Sequence, residues 1–176
     1  MAFADPEKNI SQFSLQPGMV AADFGTGDGA YAVGMSKRVM PGGKVYAIDV
    51  QKELLIRLKN SCQQKHITNV DFIWGDVENI GGTKIADNTV DLVLISNILF
   101  QIKGGFTLAT EAKRILKPGG RVAVIDWTDS FGGMGPQPAD VVNEDDARKI
   151  FEQTGLIYDR SFVAGDHHYG IILIKK

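Results

Sequence analysis

Seven residues, Asp23-Phe24-Gly25-Thr26-Gly27-Asp28-Gly29, combine three glycines with two carboxylates. Glycine reaches backbone angles closed to other residues and lets a ligand come close to the chain. A helix opening directly behind such a turn adds unpaired N–H groups facing the same ligand. Two more acids follow. Asp49 ends an apolar run 24 residues beyond Gly25. A carboxylate there can accept hydrogen bonds from both ribose hydroxyls of an adenosine-containing cofactor. Asp76, in Trp74-Gly75-Asp76-Val77, can accept from an adenine amino group while Val77 packs near the ring.

The type of cofactor follows from what the turn lacks. Position 30 is Ala and the third glycine stands at 29, so the dinucleotide pattern G-x-G-x-x-G is not met. No G-x-x-x-x-G-K-[ST] is present either. Asp23 would repel a pyrophosphate but suits a cationic sulfonium and an amino-acid ammonium. These features favour S-adenosylmethionine over NAD.

These residues need a scaffold that brings strand ends together. Met19–Phe24, Lys44–Asp49, Val70–Trp74, Val90–Ser96 and Arg121–Trp127 read as short apolar strands. Ala30–Met40, Lys52–Gln64 and Phe106–Leu116 read as helices between them. In the second, Leu54, Leu58 and Cys62 recur every four residues. Pro41-Gly42-Gly43 and Pro118-Gly119-Gly120 punctuate the pattern. Alternating strands and helices specify a doubly wound parallel sheet covered on both faces. The end of the chain differs. A helix over Asn143–Thr154 precedes strands at Tyr158–Ala164 and Tyr169–Ile174, joined by Gly165-Asp166-His167-His168 as an antiparallel hairpin. The Gly- and Pro-rich gap from Thr128 to Val142 reads as a loop bordering a site.

The chain resembles the class I S-adenosylmethionine-dependent methyltransferases of the small methyltransferase-domain type. Asp23 to Gly29 resembles the family's first motif, and Val45-Tyr46-Ala47-Ile48-Asp49-Val50 its acidic second strand. Gly75-Asp76-Val77 resembles the adenine-contact region, and Arg114 to Arg121 the approach to the fifth strand. The resemblance covers nearly the whole chain. It implies a Rossmann-like, three-layer α/β/α fold whose seven strands run 3-2-1-4-5-7-6 with strand 7 antiparallel. It also implies S-adenosyl-L-methionine as cofactor. Asp23 would act on the methionine ammonium, Gly25, Thr26, Gly27 and Gly29 would line the methionyl part, and Asp49 with Val50 would hold the ribose. Asp76 and Val77 would frame adenine, and Ser96 would approach the methionine. Asn97 and Asp126 are the candidate catalytic residues, Asn97 toward the acceptor and Asp126 as an orienting or proton-accepting group. The implied reaction is direct displacement at the methyl carbon, which relies mainly on alignment. Cofactor binding without transfer and, further off, an NAD-dependent oxidoreductase are the alternatives.

Composition sets the remaining bounds. At 176 residues one domain is expected, leaving little chain to recognise an acceptor. The net charge of −2 makes nucleic acid an unfavoured partner and leaves a small molecule or a protein as acceptor. The lone Cys62 forms no internal disulfide, and three scattered histidines predict no metal site. The N-terminal residues lack a basic region followed by an apolar run, and no stretch is long enough to span a bilayer, so a cytoplasmic location is expected. The first 16 residues, Leu99–Gly105 and Thr128–Val142 are expected to bound the acceptor entrance, with Phe100, Phe131 and Met134 as its apolar surface. His167-His168 reads as a polar turn. A second subunit would be one way to close an open site, so a homo-oligomer is possible.

Overall fold

The computed structural model describes residues 4–131 and 133–176. Among them, seven strands form one sheet: β1 Val20–Phe24, β2 Lys44–Asp49, β3 Val70–Trp74, β4 Val90–Ser96, β5 Leu116–Trp127, β6 Ile157–Gly165 and β7 His168–Ile174. Their order is β3-β2-β1-β4-β5-β7-β6. The first five pair in parallel, and β7 runs antiparallel between β5 and β6. This is the expected topology.

The described helices that cover the sheet are α1 Pro6–Ile10, α2 Ala30–Arg38, α3 Lys52–Gln64, α4 Phe106–Ile115 and α5 Glu144–Glu152. Each face has its own core. Phe24, Leu108, Ile115 and Phe151 belong to the α4–α5 side, and Ile10, Phe13, Met35 and Leu58 to the α1–α3 side. The central strands are buried on both faces, which is why they read as continuous apolar runs. Asn143 caps α5, its side chain accepting from Asp146 N at 3.0 Å. Among the described residues no helix is long and apolar enough to cross a membrane, and no group of His, Cys, Asp or Glu is arranged to hold a metal ion.

Three local expectations are corrected. β5 begins at Leu116 rather than Arg121, because Lys117–Gly120 bulges out of register and pairs with the chain end. There, Gly119 N donates to Lys175 O at 2.7 Å and Lys175 N to Gly120 O at 2.9 Å. In α3 it is Leu55, not Leu54, that joins Leu58 and Cys62 in the core, while Leu54 faces a cavity. The β6–β7 turn is not wholly polar. His168 is buried and opposite Trp127, with the two rings 4.2 Å apart.

The long polar stretch between β3 and β4 is held by a buried acid. Glu111 on α4 is fully buried and accepts from Gly81 N at 2.8 Å, Thr83 N at 3.2 Å and Thr83 Oγ1 at 2.6 Å. Arg114 Nε donates to the same carboxylate at 2.8 Å. Burial alone would raise the carboxyl pKa; the donors outweigh it and hold the group down at about 2 against an ordinary 4.5. A depressed pKa stabilises the fold at neutral pH, fully above about 4.5, and is lost as pH falls toward about 2. Glu111→Gln turns an acceptor into a donor facing these donors. It should cost about 3 kcal/mol in denaturant unfolding at pH 7. The gap between wild type and variant should close as the medium is acidified from pH 4.5 to 2; a gap independent of pH would contradict this account.

Candidate active site

Parallel strands place their carboxyl ends along one edge, where ligands of open α/β sheets bind. A cavity of about 540 Å³ opens there and extends from the end of β3 to the segment after β4. Following the strand order, Asp76 stands beyond β3, Asp49 ends β2, Asp23 lies on β1, and Ser96 and Asn97 close β4. At about 4.8 Å per strand this row spans roughly 14 Å, room for an extended nucleoside carrying an amino-acid arm. Asp23 and Ser96 share the sheet face of α1 to α3, by alternation from Ala21 and Leu94.

The turn after β1 wraps the cavity tightly. Gly25 N and Thr26 N both donate to Ile48 O at 2.9 Å. Gly29 has φ +81°, and a Cβ there would sit 2.2 Å from Leu58 Cδ1, so α3 packs against bare backbone. Gly27 differs. It has φ +55°, and a Cβ there would meet only Gly25 O, at 3.9 Å, so the space beside it is left for a ligand rather than filled by the fold.

Each acid has a distinct setting. Asp49 Oδ2 accepts from Gly27 N at 3.0 Å and Oδ1 from Gln51 N at 2.8 Å, which ties the glycine turn to the start of α3. Asp76 accepts from Glu78 N at 2.9 Å and Asn79 Nδ2 at 2.6 Å. Asp23 is buried, and one of its oxygens accepts from Thr26 Oγ1 at 2.7 Å. Burial pushes its carboxyl up to about 7, with Asp49 and Asp28 adding repulsion. Such a group gains most from a nearby cation. Ser96 Oγ and Asn97 Oδ1 are buried in the same lining without a protein partner. A carboxylate with two unpaired oxygens in the same lining offers a set of acceptors that the three N–H donors of an ammonium can fill together.

The structure gathers Asp23, Gly25, Thr26, Gly27, Asp49, Val50, Asp76, Val77, Ser96 and Asn97 around this cavity, while Gly29 supports it from behind. Asp126 stands apart. It is fully buried outside the lining, and its carboxylate accepts from Leu99 N and Trp127 N, each at 2.9 Å. Its place in the structure is to pin the short 3-10 turn Leu99–Gln101 against β5, contrary to the expected contact with an acceptor. The entrance agrees with expectation in two of its three segments. Ala4 and Pro6, and Gln101 and Ile102, line it with Ile98, while, among the described residues, the Thr128–Val142 loop and the side chains of Phe100, Phe131 and Met134 do not. Phe131 instead stacks on His167 at 4.0 Å, and His167 Nδ1 lies 2.9 Å from Asp129 Oδ1. These contacts fasten the loop after β5 to the hairpin. Sequence reading missed Tyr31, Gln51 and Leu54. Their signal was position: each lies within the first helical turns behind a strand end.

The family described as a methyltransferase domain matches residues 15–166. The crystal structure of a SAM dependent methyltransferase from Aquifex aeolicus aligns with a TM-score of 0.88 and 32% sequence identity, over 98% of this chain and 90% of that one. A demethylmenaquinone methyltransferase from Geobacillus sp. (strain WCH70) is 29% identical over 120 residues, 68% of this chain and 50% of that protein. An arsenite methyltransferase from Halobacterium salinarum is 27% identical over 134 residues, 76% of this chain and 32% of that protein. The chain thus spans half the length of one curated relative and about a third of the other. With the strand order, the glycine turn and the row of acids in place, the chain belongs to the class I S-adenosylmethionine-dependent methyltransferases, as a small methyltransferase domain.

Proposed function

We propose that the chain transfers the methyl group of S-adenosylmethionine to a small-molecule acceptor that enters over the Ser96–Ile102 end of the cavity. The observation that carries this reading is the placement of Asp23 with the unpaired Ser96 Oγ and Asn97 Oδ1 at that end. When bound, the cofactor supplies an electrophilic methyl carbon: its bond to sulfur breaks with the electron pair kept by sulfur, as the acceptor's nucleophilic atom bonds to carbon and sheds its proton to water. The protein's part is to bind and align. Asp76 and Val77 take the adenine, Asp49 the ribose hydroxyls, and Asp23, Ser96 and Asn97 the ammonium. Asp126 keeps the Leu99–Gln101 turn in register so that Ile98 and Gln101 stay in the lining. Two of the relatives above are named for small-molecule acceptors, demethylmenaquinone and arsenite, which supports the class of acceptor.

A second reading, cofactor binding without transfer, is favoured by one observation: Asp126, the acid expected to act on the acceptor, is closed over by backbone donors rather than open to a substrate proton. Incubation with methyl-labelled S-adenosylmethionine and a deproteinised cell extract separates the two. Label passing into any extract component supports transfer, and cofactor binding with no labelled product would leave the second reading.

The assignment of Asp49 predicts that Asp49→Ala weakens S-adenosylhomocysteine binding in calorimetry by about tenfold to a hundredfold, the worth of hydrogen bonds to a charged group. Unchanged affinity would remove Asp49 from the ribose. Asp23 adds a pH dependence. Only the ionised carboxylate attracts an ammonium, and the group titrates near 7. Affinity for S-adenosylhomocysteine should therefore fall by about tenfold per pH unit below 7. Without ligand the sign is opposite, since a raised carboxyl pKa stabilises the fold below about 3.8 and that contribution fades as pH rises through about 7. Asp23→Asn should bind weakly with a flat profile between pH 5.5 and 7.5, and a slope surviving in this variant would assign the titration elsewhere.

A further inference from the structure

The cavity carries charge of one sign. Among the described residues its lining includes Asp23, Asp28, Asp49, Asp76 and Glu78 but no lysine, arginine or histidine. The acids lie toward the β1, β2 and β3 ends. Beyond Ser96 the walls are uncharged: Pro6, Tyr31, Ile98 and Ile102, with the amides of Asn97 and Gln101. A carboxylate or phosphate entering here would lose water, meet like charge and find no cationic side chain in the described lining to pair with, all of which weigh against it in a partly desolvated site.

One hydroxyl at this end is aimed by a buried partner. Asn9, on α1, is only 2% exposed. Its Nδ2 donates to Ala164 O at 3.0 Å and to Tyr31 Oη at 2.9 Å. A carbonyl can only accept, so Ala164 fixes which way the Asn9 amide faces. Tyr31 therefore uses its oxygen as an acceptor toward Asn9. Its one O–H hydrogen is left for the cavity side, beside Ser96. Burial pushes the Tyr31 hydroxyl pKa up, so the group stays protonated and acts as a donor rather than a base.

We propose that the Ser96–Ile102 end of the cavity receives an uncharged acceptor and that Tyr31, aimed by Asn9, positions it by donating a hydrogen bond to a lone pair beside the atom to be methylated. The proposal rests on the reading of the chain as a methyltransferase. It adds the charge class of the acceptor and a positioning residue. α1 gains a role in it: by bridging Ala164 on β6 and Tyr31 on α2, it carries the alignment of the acceptor wall across the sheet.

The test uses the full chain, methyl-labelled S-adenosylmethionine and a deproteinised small-molecule cell extract passed through anion and cation exchangers in series, giving an unretained, uncharged fraction and a charged eluate. Label should pass to the unretained fraction. Tyr31→Phe keeps the ring and should lower the initial rate about tenfold, while its affinity for S-adenosylhomocysteine stays within about twofold of wild type. Asn9→Ala should lower the rate in the same direction, and the double variant should be no slower than Tyr31→Phe alone, as expected of two residues acting through one hydroxyl. Label confined to the charged eluate overturns the charge class. A wild-type rate in Tyr31→Phe, or a matching loss of S-adenosylhomocysteine affinity, overturns the positioning role. Transfer to neither fraction by wild type that still binds S-adenosylhomocysteine defeats the methyltransferase reading itself, and this proposal with it.

Discussion

The carboxylate of Asp49 joins the two turns on which the cavity is built. One oxygen holds Gly27 N in the turn after β1, and the other holds Gln51 N at the entry to α3. Backbone donors at strand ends must be paired or solvated, and a charged acceptor pairs them strongly. The same carboxylate is then already oriented for a ligand, because its position is set by the backbone rather than by a free rotamer. In turn, α3 packs this close to the glycine turn only because Gly29 places no side chain under Leu58. Cofactor geometry and helix packing are thus one constraint.

Around this brace, identical functional groups take different tasks from their surroundings. Glu111 is buried among donors and stays ionised, so it can order the stretch that carries Asp76 and Val77. Asp126 is buried with backbone donors alone, and its carboxyl is pushed up to about 6 by desolvation. Asp23 is desolvated beside two acidic neighbours, with the Thr26 hydroxyl as its main donor, so its charge is the least supported. The ranking follows how far donors offset desolvation at each acid, with like charge adding to it at Asp23. It separates the acids that complete the fold from the one with most to gain from a cationic ligand.

The acceptor end is made from pieces distant in the chain. Pro6 and Asn9 come from α1, Tyr31 from α2, and Ile98 to Ile102 from the segment that Asp126 pins to β5. The loop after β5 takes no part in the lining among the described residues. Its Phe131 and Asp129 are engaged with His167, and Gly135 packs against the Trp127 ring, where a Cβ would come within 2.7 Å.

What the sequence by itself determined is what short-range physics controls. Apolar runs that pack on both faces must become central parallel strands, and β2, β3, β4 and α3 have the bounds their patterns predict. The glycine turn and the acids at strand ends were legible for the same reason, since strand ends in such a sheet meet at one edge. Tertiary structure alone decided the rest. Leu54 rather than Leu55 faces the cavity, because the tilt of α3 on the sheet is not encoded in a four-residue period. Asp126 looked like a reactive acid because nothing in its neighbours along the chain reveals Leu99 N, 27 residues away, as its partner. Position behind β1 marks Tyr31 as near the site but not how its hydroxyl is aimed, because the contacts that aim it come from Asn9 and Ala164, which are separated by 155 positions and meet only in the fold. A residue's type announces which bonds it is able to make; only the packed chain supplies the donors and acceptors that choose among them.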